Sequence, residues 1–174
     1  QSAPPELAGA LAEQLARLDR WLAAHRGRYH KGLLAGANAS ELQGLQEVLG
    51  RPLPDDLRTW LQWHNGQDPD VMGALQENWR PMSAGEIDEA KRELDAEGHP
   101  GWDRTWIPFL DDDKGDYLCL DPGQPGTPVR ECWRGQAEHG VVAASLAAWV
   151  EQFLGGLERG EYAEDPERGG FYHR

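Results

Sequence analysis

The stretch from Ser40 to Gly66 constrains the fold most: SELQGLQEVLG, then RPLP, then DDLRTWLQWHNG. Leu42, Leu45 and Leu49 fall at helical spacing behind Ser40, whose hydroxyl can accept from a free backbone N–H, with Gln43 placed for a capping box. Gly50 ends that helix. Pro52 and Pro54 bracket Leu53, and because each proline fixes φ and biases its predecessor toward extended geometry, the chain must turn there. Pro54 also suits the first turn of a second helix, with Asp55 and Asp56 favourable to its dipole. Leu57, Trp60, Leu61 and His64 form one stripe, and Asn65-Gly66 supplies a left-handed stop.

On either side of this corner the hydrophobic period continues. Leu7, Leu11, Leu15, Leu18 and Leu22 predict one long helix over Pro5–His25 whose leucine stripe reads as core, with a partner seam as the lesser reading. Residues 27–39 read as a glycine-bearing loop anchored by Leu33 and Leu34, and 67–76 as an irregular segment. Asn78 to Met82 reads as a short strand, and Ser83 with Glu86 is a capping box opening a helix to about Glu97. That helix buries Ile87, Ala90 and Leu94 and leaves an acidic face that includes Lys91. Strands are expected at 105–110, 116–121, 129–134 and 140–144, with Pro108 pointing to an edge or a bulge. Ser145 caps a last helix with apolar residues at 146, 149, 150, 153, 154 and 157. The fold class is therefore α+β, helices packed on a twisted antiparallel sheet of about four to five strands. No linker divides the 174 residues: the reading is one domain, with 1–32 a helical extension and 161–174 a polar C-terminal tail of uncertain order.

Thirty acidic residues against 17 basic give a formal charge of −13, which repels nucleic-acid phosphates and suits solubility or a basic partner. No apolar run reaches the roughly 18–20 residues of a membrane helix. Cys119 and Cys132 lie in no CxxC or Cys/His cluster, so they read as reduced thiols of a cytoplasmic protein; a bridge would need them on one face. The chain starts Gln1-Ser2-Ala3 without Met. An artificial leader, a truncation or a removed signal peptide would each explain this, and the last would place the protein in the periplasm.

DDDKGD at 111–116 clusters carboxylates but fails as a calcium loop, since Gly115 sits at the fifth position and Pro122 where the bidentate Glu belongs. It reads as an acidic turn and contact surface. No two of the six histidines have the i, i+4 spacing of a helical metal site, and His64 reads as filling a helix end. Nucleophile and phosphate-loop motifs are absent. An enzyme is not indicated; a metal hydrolase on Asp112, Asp116 and Asp121 is the alternative in that class. Eight tryptophans are many for this length, and some of Trp21, Trp79, Trp102, Trp106 and Trp133 are expected at the surface.

Leu49-Gly50-x-x-Leu53-Pro54-x-Asp56-Leu57 followed by Trp63-His64-Asn65-Gly66 resembles the signature of the SUKH superfamily, proteins similar to the yeast cell-wall-assembly regulator. The likeness continues through Trp106-Ile107-Pro108, Gly115-Asp116, Leu120-Asp121 and 142–149, covering roughly residues 33 to 162. The resemblance implies a binding module without cofactor or metal. In the bacterial immunity branch such proteins neutralise a cognate polymorphic toxin, often a nuclease or deaminase, by occluding it; the fungal branch are regulatory scaffolds. The expected partner is thus a basic toxin, and the expected contacts are Asp111, Asp112, Asp113 and Asp116 with Trp102 and Trp79.

Overall fold

A computed structural model describes residues 5–136, 138–167 and 170–174, with side chains from residue 10 onward. Residues 1–3, and the side chain of Leu7, lie outside that description. Helix α1 spans Pro5–His25, α2 Gly27–Lys31, α3 Ala39–Leu49 and α4 Asp55–Trp63. Strand β1 (Arg80–Pro81) precedes α5 (Ala84–Glu97); β2 (Ile107–Asp111), β3 (Tyr117–Leu120), β4 (Val129–Cys132) and β5 (Val141–Ala143) follow, then α6 (Leu146–Glu158), β6 (Tyr162–Glu164) and β7 (Phe171–His173). The α+β class is as expected: β1 to β5 form one antiparallel sheet in sequential order, with six helices around it. No helix among the described residues is long and apolar enough to cross a membrane.

The leucine stripe of α1 is the centre of the helical layer. Leu11, Leu15, Leu18 and Leu22 are each at most 1% exposed and join one core with Leu57, Trp60 and Leu61 of α4 and Trp149, Val150 and Phe153 of α6. Phe171, from the residues read as a tail, belongs to the same core. Trp60 packs edge-on against both Phe109 of β2 and Trp149 of α6, so the helical layer and the sheet meet at one indole.

Several local readings are corrected. The N-cap of α3 is Asn38, not Ser40: its side chain accepts from Glu41 N at 2.8 Å while Glu41 Oε1 accepts from Asn38 N at 3.0 Å. Residues 27–31, read as loop, make the short helix α2. The capping box of Ser83 and Glu86 is present as expected. Pro108 sits at a register shift between β2 and β3, the bulge reading, whereas β2 is no edge strand because β1 pairs with Leu110 and Asp111. Lys91, assigned to the solvated face of α5, is buried. Its ammonium donates to Asp95 Oδ1 at 2.8 Å and to Arg104 O, and lies over the Trp102 ring.

The Trp-His-Asn-Gly run closes α4 earlier than expected, at Trp63, with His64 as the C-cap. Asn65 then ties two helix starts together: its amide donates to Glu41 Oε2 at 2.7 Å and its carbonyl accepts from Ala84 N at 2.8 Å. Gly66 has φ 79°, and a Cβ there would meet Ser83 N at 2.5 Å, so both conformation and space require glycine.

Candidate functional site

Hairpin β2–β3 carries the acidic turn, and two of its four carboxylates are spent on its own backbone. Asp111 accepts from Asp113 N at 2.9 Å; Asp112 accepts from Lys114 N at 2.8 Å and Asp116 N at 3.1 Å. Asp116 reaches across to accept from Arg134 N at 2.7 Å. These are side-chain-to-backbone closures that make a tight turn rigid. Only Asp113 points outward: its side chain is 79% exposed, 3.7 Å from the Arg80 guanidinium, on a backbone with φ 62°.

The turn and the outer face of α5 share one field. Burial pushes the Asp111 carboxyl up to about 6, opposed by the Asp113 amide and Arg80 and assisted by Glu86 and Asp113. Burial likewise raises the Tyr117 phenol to about 12, with Asp111 and Glu93 adding to it. Glu86 and Glu93 belong to α5, so helix and turn share one mainly acidic face, with Arg80 and Arg134 set into it and Glu89 and Glu93 exposed on it.

The expected aromatic contacts are placed differently. Trp79 is 6% exposed and in the main core, its ring 6.0 Å from that of Trp133. Trp102 is half-buried and donates to Asp95 Oδ1 at 2.9 Å. It stacks edge-on against Trp106 in a satellite cluster with Cys119 and Cys132. Trp21 and Trp133 also keep part of their rings at the surface, while Trp106 does not. Cys119 and Cys132 occupy diagonal positions on paired strands; both are free thiols, and burial pushes Cys119 well up, which makes it unreactive.

A hydrolase built on Asp112, Asp116 and Asp121 has no common centre. Asp112 and Asp116 precede β3 and Asp121 follows it, a strand length apart, and Asp121 is buried against Arg130 at 2.6 Å. Among the described residues, one group does bring three metal-capable donors together, Asp19, His30 and His64, with atoms within 4.8 Å of one another. Sequence reasoning missed it because the residues come from α1, α2 and the end of α4. A cleft of about 470 Å³ lies between α1, α6 and the β6–β7 hairpin, lined by Trp21, Arg26, Glu158, Tyr162, Glu164 and Phe171 among others.

The SMI1/KNR4 family model (SUKH-1) matches residues 36–152. The chain belongs to that family. The matched SUKH-1 span holds α3 to β5 and most of α6, and with them the acidic face; α1 and the β6–β7 hairpin, which line the cleft, fall outside it. The chain is also 27% identical, over 204 aligned positions, to the cell wall biosynthesis/cell cycle regulator smi1 of Schizosaccharomyces pombe. That similarity takes in 95% of this chain but 39% of the relative, so this SUKH-1 chain spans well under half the length of the curated protein it matches.

Proposed function

We propose that this SUKH-1 protein acts in the cytoplasm as a non-catalytic immunity module that binds a basic, toxin-like domain of the nuclease or deaminase kind and neutralises it by covering it. The observation that carries the reading is the acidic face shared by α5 and the β2–β3 turn, on a chain of net charge −13. A fixed field of one sign steers an oppositely charged partner into encounter. Asp111, Asp112 and Asp116 are engaged by backbone N–H groups, so Glu89, Glu93 and Asp113, the last exposed but paired loosely with Arg80, are the carboxylates presented to a partner. Trp102, half-buried beside this face, supplies apolar area at its edge.

The test is association kinetics with the product of the reading frame beside the gene. Replacing Asp113, Glu89 and Glu93 by Lys leaves the backbone closures intact. It should lower the association rate by about 10-fold or more at low salt, with the difference shrinking as ionic strength rises. An unchanged rate sinks the acidic-face reading; no complex with that neighbour sinks the immunity reading. A second reading, a regulatory scaffold with several weaker partners, draws its support from the similarity to smi1 across 95% of this chain. Several partners of comparable affinity, none of them toxin-like, would favour it.

A further inference from the structure

The cluster of Asp19, His30 and His64 has a proton deficit that its geometry exposes. His64 Nδ1 lies 2.6 Å from Leu34 O, and a carbonyl only accepts, so Nδ1 carries a hydrogen. The ring's other nitrogen, Nε2, lies 2.7 Å from Asp19 Oδ1. A neutral imidazole with its hydrogen on Nδ1 therefore aims a lone pair at a carboxylate oxygen, an arrangement that needs a positive charge between the two atoms. Either the ring takes a second proton or a cation bridges them.

His30 is the second imidazole at this carboxylate. Its Nε2 is 3.1 Å from Asp19 Oδ2, sealed from solvent, and without a hydrogen bond of acceptable geometry. Two imidazole nitrogens thus converge on the two oxygens of one carboxylate. Trp63 Nε1 donates to Asp19 Oδ1 at 3.1 Å and orients it.

We propose that Asp19 with His30 and His64 is a binding site for a divalent transition cation of the zinc class. Two imidazoles and one carboxylate are a donor set that zinc accepts, and tetrahedral bonds of about 2.0–2.1 Å put neighbouring ligand atoms about 3.3–3.4 Å apart. The 3.1 Å separation is close to this, the 2.7 Å one is a hydrogen-bond distance that has to open by about 0.6 Å to admit the ion, and all three donors lie within 4.8 Å of one another. The backbone carbonyl on His64 Nδ1 and the indole on Asp19 are the outer contacts that fix tautomer and orientation at metal sites. The side chains of Asp19, His30 and His64 are 35%, 25% and 17% exposed, so the cluster lies near the surface, although His30 Nε2 itself is shielded from solvent. The site joins α1, which lies outside the family-matched span, to the end of α4 inside it.

The experiment is titration of the chelator-treated chain with zinc by calorimetry, and with cobalt(II) by visible absorption. One ion per chain and the absorption of a tetrahedral cobalt site are expected. His30→Gln and Asp19→Asn should each weaken binding at least ~10-fold, no less than loss of an outer contact does. His173→Gln, outside the cluster, should leave it unchanged. Circular dichroism of each variant separates lost binding from lost fold, and His64→Gln provides a third ligand change should one variant fail to fold. No stoichiometric binding, or binding indifferent to folded variants of these residues, overturns the proposal and leaves the cluster an imidazolium–carboxylate contact.

Discussion

Replacing Arg26 by Met should cost about 3 kcal/mol of folding stability, with the larger share from two carbonyl groups and little from the ion pair. Arg26 is 6% exposed at the α1–α2 junction. Its guanidinium donates to Ala74 O at 2.9 Å, Leu75 O at 3.3 Å and Glu164 Oε1 at 2.9 Å, and it lies 4.2 Å over the Tyr29 ring and 4.1 Å over the Phe171 ring. Methionine fills much of the same volume but cannot donate. Each buried carbonyl left unpaired costs about 1–3 kcal/mol, and the lost ring contacts add about 0.5–2 kcal/mol. Against this, methionine removes the cost of burying a charge. Glu164 is 60% exposed and returns to water at little expense, so Glu164→Gln should cost under about 1 kcal/mol. In urea, with a slope of roughly 2 kcal/mol/M, Arg26→Met should lower the midpoint by about 1–2 M at unchanged slope. A midpoint within about 0.3 M of the parent at that slope, or a Glu164→Gln effect as large as Arg26→Met, would refute the assignment to Ala74 and Leu75.

Two further outcomes follow from buried groups. Asp111 holds its proton to about pH 6 when folded and to about 3.8 when unfolded; the folded state binds the extra proton between those values, so stability falls as pH rises through that window. Asp111→Asn should flatten this slope, as read by thermal melts between pH 4 and 6. Trp60 is 1% exposed with its indole N–H unpartnered. Trp60→Phe removes that donor along with packing volume and should stay within about 1.5 kcal/mol of the parent, whereas Trp60→Ala should cost about 3–5 kcal/mol in the same denaturation assay.

Features set by neighbours three or four residues away were legible in the chain. The α1 leucines, the Ser83–Glu86 box, the Gly50 cap and the α6 stripe each depend on contacts within about one helical turn, and the pattern of residues suffices to place them. The proline corner and the ordered strand signals were enough for the α+β class and for the likeness to the SUKH superfamily. Where two polar residues competed for one cap, as Asn38 and Ser40 did, the choice fell to Glu41 reaching back to Asn38. Helix α2, five residues long, has too little period to read.

What only the tertiary structure decided is where side chains from distant segments meet. Lys91 looks solvated from its own helix, yet Asp95, the Arg104 carbonyl and the Trp102 ring bury it. The carboxylates of 111–116 look free in sequence, yet Asp111 and Asp112 close their own turn and Asp116 is spent on the Arg134 amide across the sheet. Asp19, His30 and His64 share no spacing rule at all. They converge because α1 packs against both α2 and α4, and that packing follows from burying the leucine faces, which are indifferent to the polar residues they bring together.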